Sequence, residues 1–443
     1  MKPVTVIELN ELNFEYVQRY ISAGKLPTFK ALLENSALNL TTSEHRYSEL
    51  EPWIQWVTAH TGQTLAQHGI FRLGDICGAD IDQVWEKLED NGLRVGALSP
   101  MNASNRLQKP AFFLPDPWTE TPMVAPKGVG RVYSAIARAV SQNAEGRMNP
   151  ATLSDLMIGL IRFARPANYF RYFSLAALSF TRPWLRAAFL DLFLSDIFVG
   201  LSRATKPDFS TAFFNAAAHV QHHYMFSSSV YDGSHRNPEW YVKSGQDPIL
   251  DIYEVYDEIL HTITRVFPGT RLMIATGLHQ VPHEIETYYW RLRDHAQFLT
   301  EAGVCFTSVR PLMSRDFVVT FPSVEAASIA EHLLQNALAS DGASLFTIDN
   351  RGTDLFVELV YRNDIGRDLT WHVGAASFAN VRNLVAFVAI KNGGHNGLGY
   401  FIDTGEPSRE AKRFELAELQ GIMMAACGVS TTLQSPVSCQ ENG

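Results

Sequence analysis

The chain has 443 residues, 46% of them hydrophobic and 19% charged, which is enough apolar material for a sizeable core and too little charge for disorder. Its net charge of −9 excludes a general nucleic-acid binder, which needs a basic surface to attract phosphates. The length points to one large α/β domain over residues 1–443 that carries smaller inserted units.

Val4 to Leu9 is a short apolar, β-branched run that predicts a strand, and Phe14 to Ile21 has helical spacing before the break at Gly24-Lys25-Leu26-Pro27. Met1 to Glu8 shows neither the basic region nor the long apolar stretch of a secretory signal. A second strand is expected at Arg94 to Leu98, ending in the polar loop Ser99 to Asn105. From Pro150 to about Lys206 the pattern is almost wholly helical, with interleaved aromatics and arginines, and predicts a helical insertion over 150–206. A packed unit is the plain reading; a lid, a dimer face or a membrane-surface contact are the others. Its most apolar part, Phe173 to Leu201, is broken by Arg182, Pro183, Arg186, Asp191 and Asp196, so no run reaches the ~20 apolar residues of a membrane span.

Ser210 to Phe214 reads as a core strand leading to a helix that starts near His219. Ile249 to Val266 is a long amphipathic helix, and Arg271 to Ala275 is the next strand. Phe317 to Phe321, Val324 to Ala339, Ser344 to Ile348 and Leu355 to Tyr361 alternate strand, helix, strand and strand, which predicts a small α+β insertion over 316–361. Leu384 to Ile390 returns the chain to a glycine-rich loop, Asn392 to Gly399. The whole reads as a repeatedly wound, mostly parallel α/β sheet, whose functional loops follow strand C-termini. Cys77, Cys305, Cys427 and Cys439 have no zinc or redox spacing and are expected to be reduced thiols of a cytoplasmic protein.

Three segments carry a resemblance. Ile7-Glu8-Leu9-Asn10, then a helix and Gly24-Lys25-Leu26-Pro27, come first; Trp56-Val57-Thr58-Ala59-His60-Thr61-Gly62 with His68-Gly69-Ile70-Phe71 comes second; Gly393-Gly394-His395-Asn396-Gly397-Leu398-Gly399-Tyr400 comes third. In this order they resemble the type I phosphodiesterase/nucleotide pyrophosphatase branch of the alkaline phosphatase superfamily. The resemblance implies an alkaline-phosphatase-type fold and a two-metal phosphoester site. It places Asn10 where the family has a metal-binding Asp, Pro52 where it has the nucleophilic Thr or Ser, and His395 at a zinc-binding His. Asn215 to Tyr224 falls where the family has an Asp and a His four residues apart, and two registers fit: Asn215 with His219, or Ala218 with His222. The family's last Asp-His pair falls at Gly277-Leu278, with His279 just beyond.

A two-metal site needs about three ligands per ion, with carboxylates to offset the dications. The expected metal ligands here are His219, His222, His395 and His279, enough for one zinc or other divalent ion, completed by Asn215 or a nearby acid such as Glu8. His219, His222 and His223 share one helix face through their i, i+3 and i+4 spacing. Ser48, Glu49 and Glu51 lie in the nucleophile loop, the two acids as general acid or base and Ser48 as the nearest hydroxyl. Asn10, Asn215 and Arg72 are candidate substrate contacts, although Arg72 has Asp75 nearby as an ordinary ion-pair partner. The expected activity is phosphodiesterase- or phosphatase-like hydrolysis of a phosphate or related ester, of a nucleotide or glycan, with reduced metal chemistry. A non-catalytic relative that binds an anionic ligand or a partner, and a metal-independent esterase or transferase using Glu49 or Glu51, are the alternatives.

Overall fold

The computed structural model describes residues 2–141, 150–312, 315–406 and 409–430. Val4–Leu9 (β1) is buried at every position, as expected of a mostly apolar strand covered on both faces, with Thr5 and Glu8 as its buried polar residues. The chain turns at Asn10 and Glu11 into Phe14–Ser22 (α1), capped by the Asn13 side chain, which accepts from the Tyr16 amide at 2.9 Å. Pro27–Asn35 (α2) starts on a proline and takes its cap from Asp257, whose carboxylate accepts from the amides of Thr28 and Phe29 at 2.9 Å each. Asn39–Thr42 (β2) is followed by Pro52–Thr61 (α3), again with a proline at its head, and by Leu65–His68 (α4) and Val84–Asp90 (α5). Val95–Leu98 (β3) and Phe112–Leu114 (β4) are short and wholly buried.

Four helices follow: Lys127–Ser141 (α6), Pro150–Phe163 (α7), Tyr169–Leu178 (α8) and Leu185–Thr205 (α9). Phe209–Phe214 (β5) leads to Ala216–Tyr224 (α10), which begins ahead of His219 because Ala216, Ala217 and Ala218 are strong helix formers. Pro248–Val266 (α11) is capped by Asp247, and Arg271–Ala275 (β6) comes next. His279–Leu292 (β7) then leaves the sheet. Beyond it lie His295–Glu301 (α12), Ser308–Pro311 (β8), Asp316–Thr320 (β9), Val324–Gln335 (α13) and Leu338–Ala339 (β10). Phe346–Arg351 (β11), Asp354–Leu359 (β12), Trp371–Val373 (β13), Ala376–Phe378 (β14) and Val381–Leu384 (α14) complete a second packed unit. Its separate core runs from Trp290 to Val385, so elements on both sides of 316–361 belong to it. The helix expected through Ala339 stops at Gln335, and Leu338–Ala339 instead pairs with Trp371 and His372.

Val385–Asn396 (β15) returns the chain antiparallel to β7, and Leu398–Asp403 (β16), Arg413–Glu415 (β17) and Glu418–Ala426 (α15) close it. The main sheet has eight strands in the order β17-β2-β16-β6-β1-β5-β3-β4. Every neighbouring pair is parallel except the two that involve β16. The fold is therefore a repeatedly wound, mostly parallel α/β sheet. β1 sits centrally between β5 and β6, so the residues after these three strands, Asn10–Glu11, Asn215 and Thr276–Gln280, meet at one edge. Cys77, Cys305 and Cys427 are free thiols, and Cys439 lies outside the described residues. Among the described residues no helix is long and apolar enough to cross a membrane.

Candidate functional site

Glu11 is the centre of the group at that edge. Its backbone is left-handed, at φ +58°, a conformation most side chains avoid. Neighbours hold it there: the Glu11 amide donates to the Thr276 carbonyl at 3.1 Å, and the Glu11 carbonyl accepts from the Gln280 amide at 3.2 Å and the Gln221 side chain at 2.7 Å. The turn points the Glu11 carboxylate at His222, 3.2 Å from Nε2, and His395, 3.3 Å from Nε2. The antiparallel register of β7 and β15 sets His395 opposite Gln280, whose side-chain amide also donates to Glu11. Gly393 makes this approach feasible, because a Cβ there would lie 2.8 Å from the Gln221 carbonyl.

Glu11, His222 and His395 each offer one ligand atom, all within 4.8 Å of one another. Burial alone would raise the Glu11 carboxyl, but His395 and His222 outweigh it and hold the group well below the usual carboxylate range. Burial alone would lower His395; Glu11, with Glu51 beyond it, more than compensates and raises its affinity for a proton. Among the described residues His395 Nε2 has no well-aligned hydrogen-bond partner beyond its 3.3 Å contact with Glu11. Two imidazoles and one carboxylate with an unsatisfied nitrogen among them fit a single divalent ion of zinc type.

Among the described residues this is the one group of such ligands. Asn10 donates its amide to Asn215 Oδ1 at 2.8 Å and to Glu11 Oε1 at 3.2 Å, while its own oxygen accepts from the Trp56 indole at 2.8 Å. These amides thus join Trp56 and Asn215 to the Glu11 carboxylate through neutral side chains.

The sequence candidates divide accordingly. His222 and His395 come together, and Asn10 and Asn215 touch each other beside them. His219, on the same helix, is exposed with its ring edge-on to His223, so of the two registers only the one through His222 reaches Glu11. His279 is buried against Tyr400, its Nδ1–H donating to the Leu398 carbonyl at 2.6 Å, and takes no part in the Glu11 group. Glu8 points to the other side of β1, where Thr211 donates to it at 2.8 Å and His60 Nε2 lies at 3.0 Å, both deep in the core. Pro52 is buried at the head of α3. Ser48 is exposed, and Glu49 lies 3.3 Å from Arg46. Glu51 is half-buried near the group; burial raises its carboxyl, opposed by His395 and reinforced by Glu11. Arg72 is exposed, its carbonyl held by the Asn102 side chain at 3.3 Å.

Two further residues guard the mouth. Tyr47 stacks on His395 with ring centroids 6.3 Å apart, and Lys391 donates to the Tyr47 hydroxyl at 3.2 Å. Neither they nor Glu11 nor Gln280 were among the sequence candidates. For Glu11 a signal existed: an acid immediately beyond the C-terminal end of the central strand.

No protein-family model and no curated protein matches the chain. Among solved structures the chain is similar to phosphonoacetate hydrolase from Sinorhizobium meliloti 1021 in complex with phosphonoformate, at 14% identity over 96% of both chains with a TM-score of 0.42. It is also similar to murine ectonucleotide pyrophosphatase/phosphodiesterase 5, at 10% identity over 97% of this chain and 96% of that one with a TM-score of 0.42. Wild-type alkaline phosphatase PafA aligns at 11% identity over 97% of this chain and 96% of its own, with a TM-score of 0.46. These are distant likenesses in chain path.

Proposed function

We propose that the chain is a single-metal hydrolase of a small anionic ester, a phosphoester or a related group, that works without a protein nucleophile. The observation that carries this reading is the Glu11–His222–His395 group at the C-terminal edge of the central strands. A divalent ion held by these three residues supplies Lewis-acid polarisation of the ester and neutralises its charge. Pro52 has no hydroxyl to form a covalent intermediate, which leaves water as the attacking group. Burial raises the Glu51 carboxyl, which favours its role as the acid that gives a proton to the departing oxygen. Lys391 and Tyr47 present a cation and a hydroxyl to the anionic end of the substrate. Nucleotide and glycan esters are the substrate classes to try first, on the strength of the sequence resemblance.

The neutral Asn10–Asn215–Trp56 network favours a second reading, a non-catalytic protein that retains the pocket for an anionic ligand. Metal content and hydrolysis of chromogenic phosphomonoesters and phosphodiesters, each with and without zinc or manganese, separate the two. Stoichiometric metal with metal-dependent turnover supports the hydrolase. Bound metal or bound phosphate without turnover of any ester, in a folded protein, supports the binder; chelator-resistant turnover refutes the role given to the metal.

A further inference from the structure

Away from this site, α7, α8 and the turn after them present apolar side chains to solvent. Ile161, Phe170, Phe173 and Phe180 are 71%, 83%, 73% and 86% exposed, and Met157, Ile158 and Tyr169 lie among them. On α7 the residues Met157, Ile158 and Ile161, and on α8 Tyr169, Phe170 and Phe173, each follow the spacing of a single helix face. The Tyr169 hydroxyl donates to the Ile161 carbonyl at 3.3 Å, which joins the two faces into one surface. Tyr172 and Leu175 already anchor α8 in the main core, so the outward phenylalanines add nothing to its packing.

Charge points to what covers this surface. Between Pro150 and Arg186 there are five arginines and one acid, Asp155, in a chain of net charge −9. Asp155 is held by both Arg131, at 2.7 Å, and Arg138, at 3.7 Å, so that cluster is itself net positive. Arg171 and Arg182 pair with Glu258 and Asp251, while Arg162 and Arg186 are exposed at the margins. A second copy of the chain meeting this surface across a two-fold axis would set like charges against each other. A membrane of anionic phospholipid accepts both features, phenyl rings at the boundary between headgroups and acyl chains and guanidinium groups on the phosphates.

We infer that the α7–α8 surface docks reversibly on an anionic phospholipid bilayer. The inference goes beyond the proposed hydrolysis and does not depend on the metal group. It also has a geometric corollary. α9 packs on β5 and enters it through a short turn, so the head of α9, next to Phe180, lies at the sheet edge that carries Glu11. Trp184 there meets Tyr224, at the end of the helix that bears His222, with ring centroids 5.3 Å apart.

The test is flotation of the full chain with vesicles of phosphatidylcholine alone and of phosphatidylcholine with about a third phosphatidylglycerol, at low and high salt. Binding to the anionic vesicles that weakens in salt is expected, at least about tenfold tighter than to phosphatidylcholine. The double variants Phe170→Ser/Phe173→Ser and Arg162→Glu/Arg186→Glu should each weaken it by about tenfold or more. All four positions are exposed, and matching thermal melts confirm that the variants fold. Absence of wild-type binding to either vesicle overturns the inference. So does self-association in sedimentation velocity that is lost in the Phe170/Phe173 variant without any vesicle binding, which would make the surface an interface between copies.

Discussion

Replacing Glu11 by Gln tests the metal group at its centre. The Glu11 carboxylate is the only anion among the three ligand groups and accepts from Asn10 and Gln280 as well as facing both imidazoles. Gln keeps the shape but removes the charge and turns an amide donor toward donors. Loss of even an outer partner of a metal ligand costs roughly 10–100-fold in affinity, so loss of this ligand should cost at least ~100-fold, or about 3 kcal/mol. The assay is competition with a chromogenic chelator, with His219→Ala as the control because His219 is exposed and outside the group. The pH dependence adds a second readout. Metal uptake must displace the His395 proton, and Glu11 raises that group, so wild-type affinity should begin to fall at a higher pH than an ordinary imidazole dictates. In Glu11→Gln the main influence that raises His395 is gone, leaving Glu51 against burial and Lys391, and the fall should move to lower pH. Unchanged affinity in a folded Glu11→Gln protein, or an equal loss in His219→Ala, refutes the assignment.

Lys391→Met should raise KM for an anionic ester by roughly 10–100-fold, the value of one charge-assisted contact, with kcat less affected; an unchanged KM removes Lys391 from the substrate. Glu51→Gln should abolish the alkaline limb of the kcat profile, since Glu51 is to act while protonated and burial moves its ionisation upward; a retained limb assigns it to another group. Asp191 is buried, accepts from the Ala216 amide at 2.7 Å and from the Tyr256 hydroxyl at 2.9 Å, and is pushed by burial from 3.8 to about 7. The folded chain therefore holds a proton that the unfolded chain releases, and its contribution to stability, present in full below pH 3.8, is lost as pH rises to about 7. Urea unfolding across that window should show a loss of a few kcal/mol (~4 at most) that is absent in Asp191→Asn; parallel curves for the two proteins refute it.

The strands β1, β5 and β6 were legible because buried parallel strands are written as short, mostly apolar runs, here interrupted only by Thr5, Glu8, Ser210, Thr211 and Arg271. α13 was overextended because Leu338 and Ala339 suit a helix locally, and only their pairing with β13 draws them into a strand. The candidate site was legible where it follows sequence-adjacent motifs, His395 and the stretch from Asn215 to His222. At Glu11 the sequence carried one signal, an acid just past the central strand, but the left-handed turn that aims it at His222 and His395 is a tertiary effect, held by Thr276, Gln280 and Gln221. Nor could spacing choose between His219 and His222, since both are exposed enough to serve and only the position of β15 decides.

The Asn10–Trp56 hydrogen bond also bears on how this chain can change. Introducing an aspartate at position 10 alone would set a new anion beside Glu11, with the Asn215 oxygen facing it in place of an amide. The indole would still occupy the new carboxylate. A carboxylate pair at this edge thus requires Asn10, Asn215 and Trp56 to change together. The amide network acts as an epistatic ratchet: each member is individually replaceable on paper, yet each fixes the others.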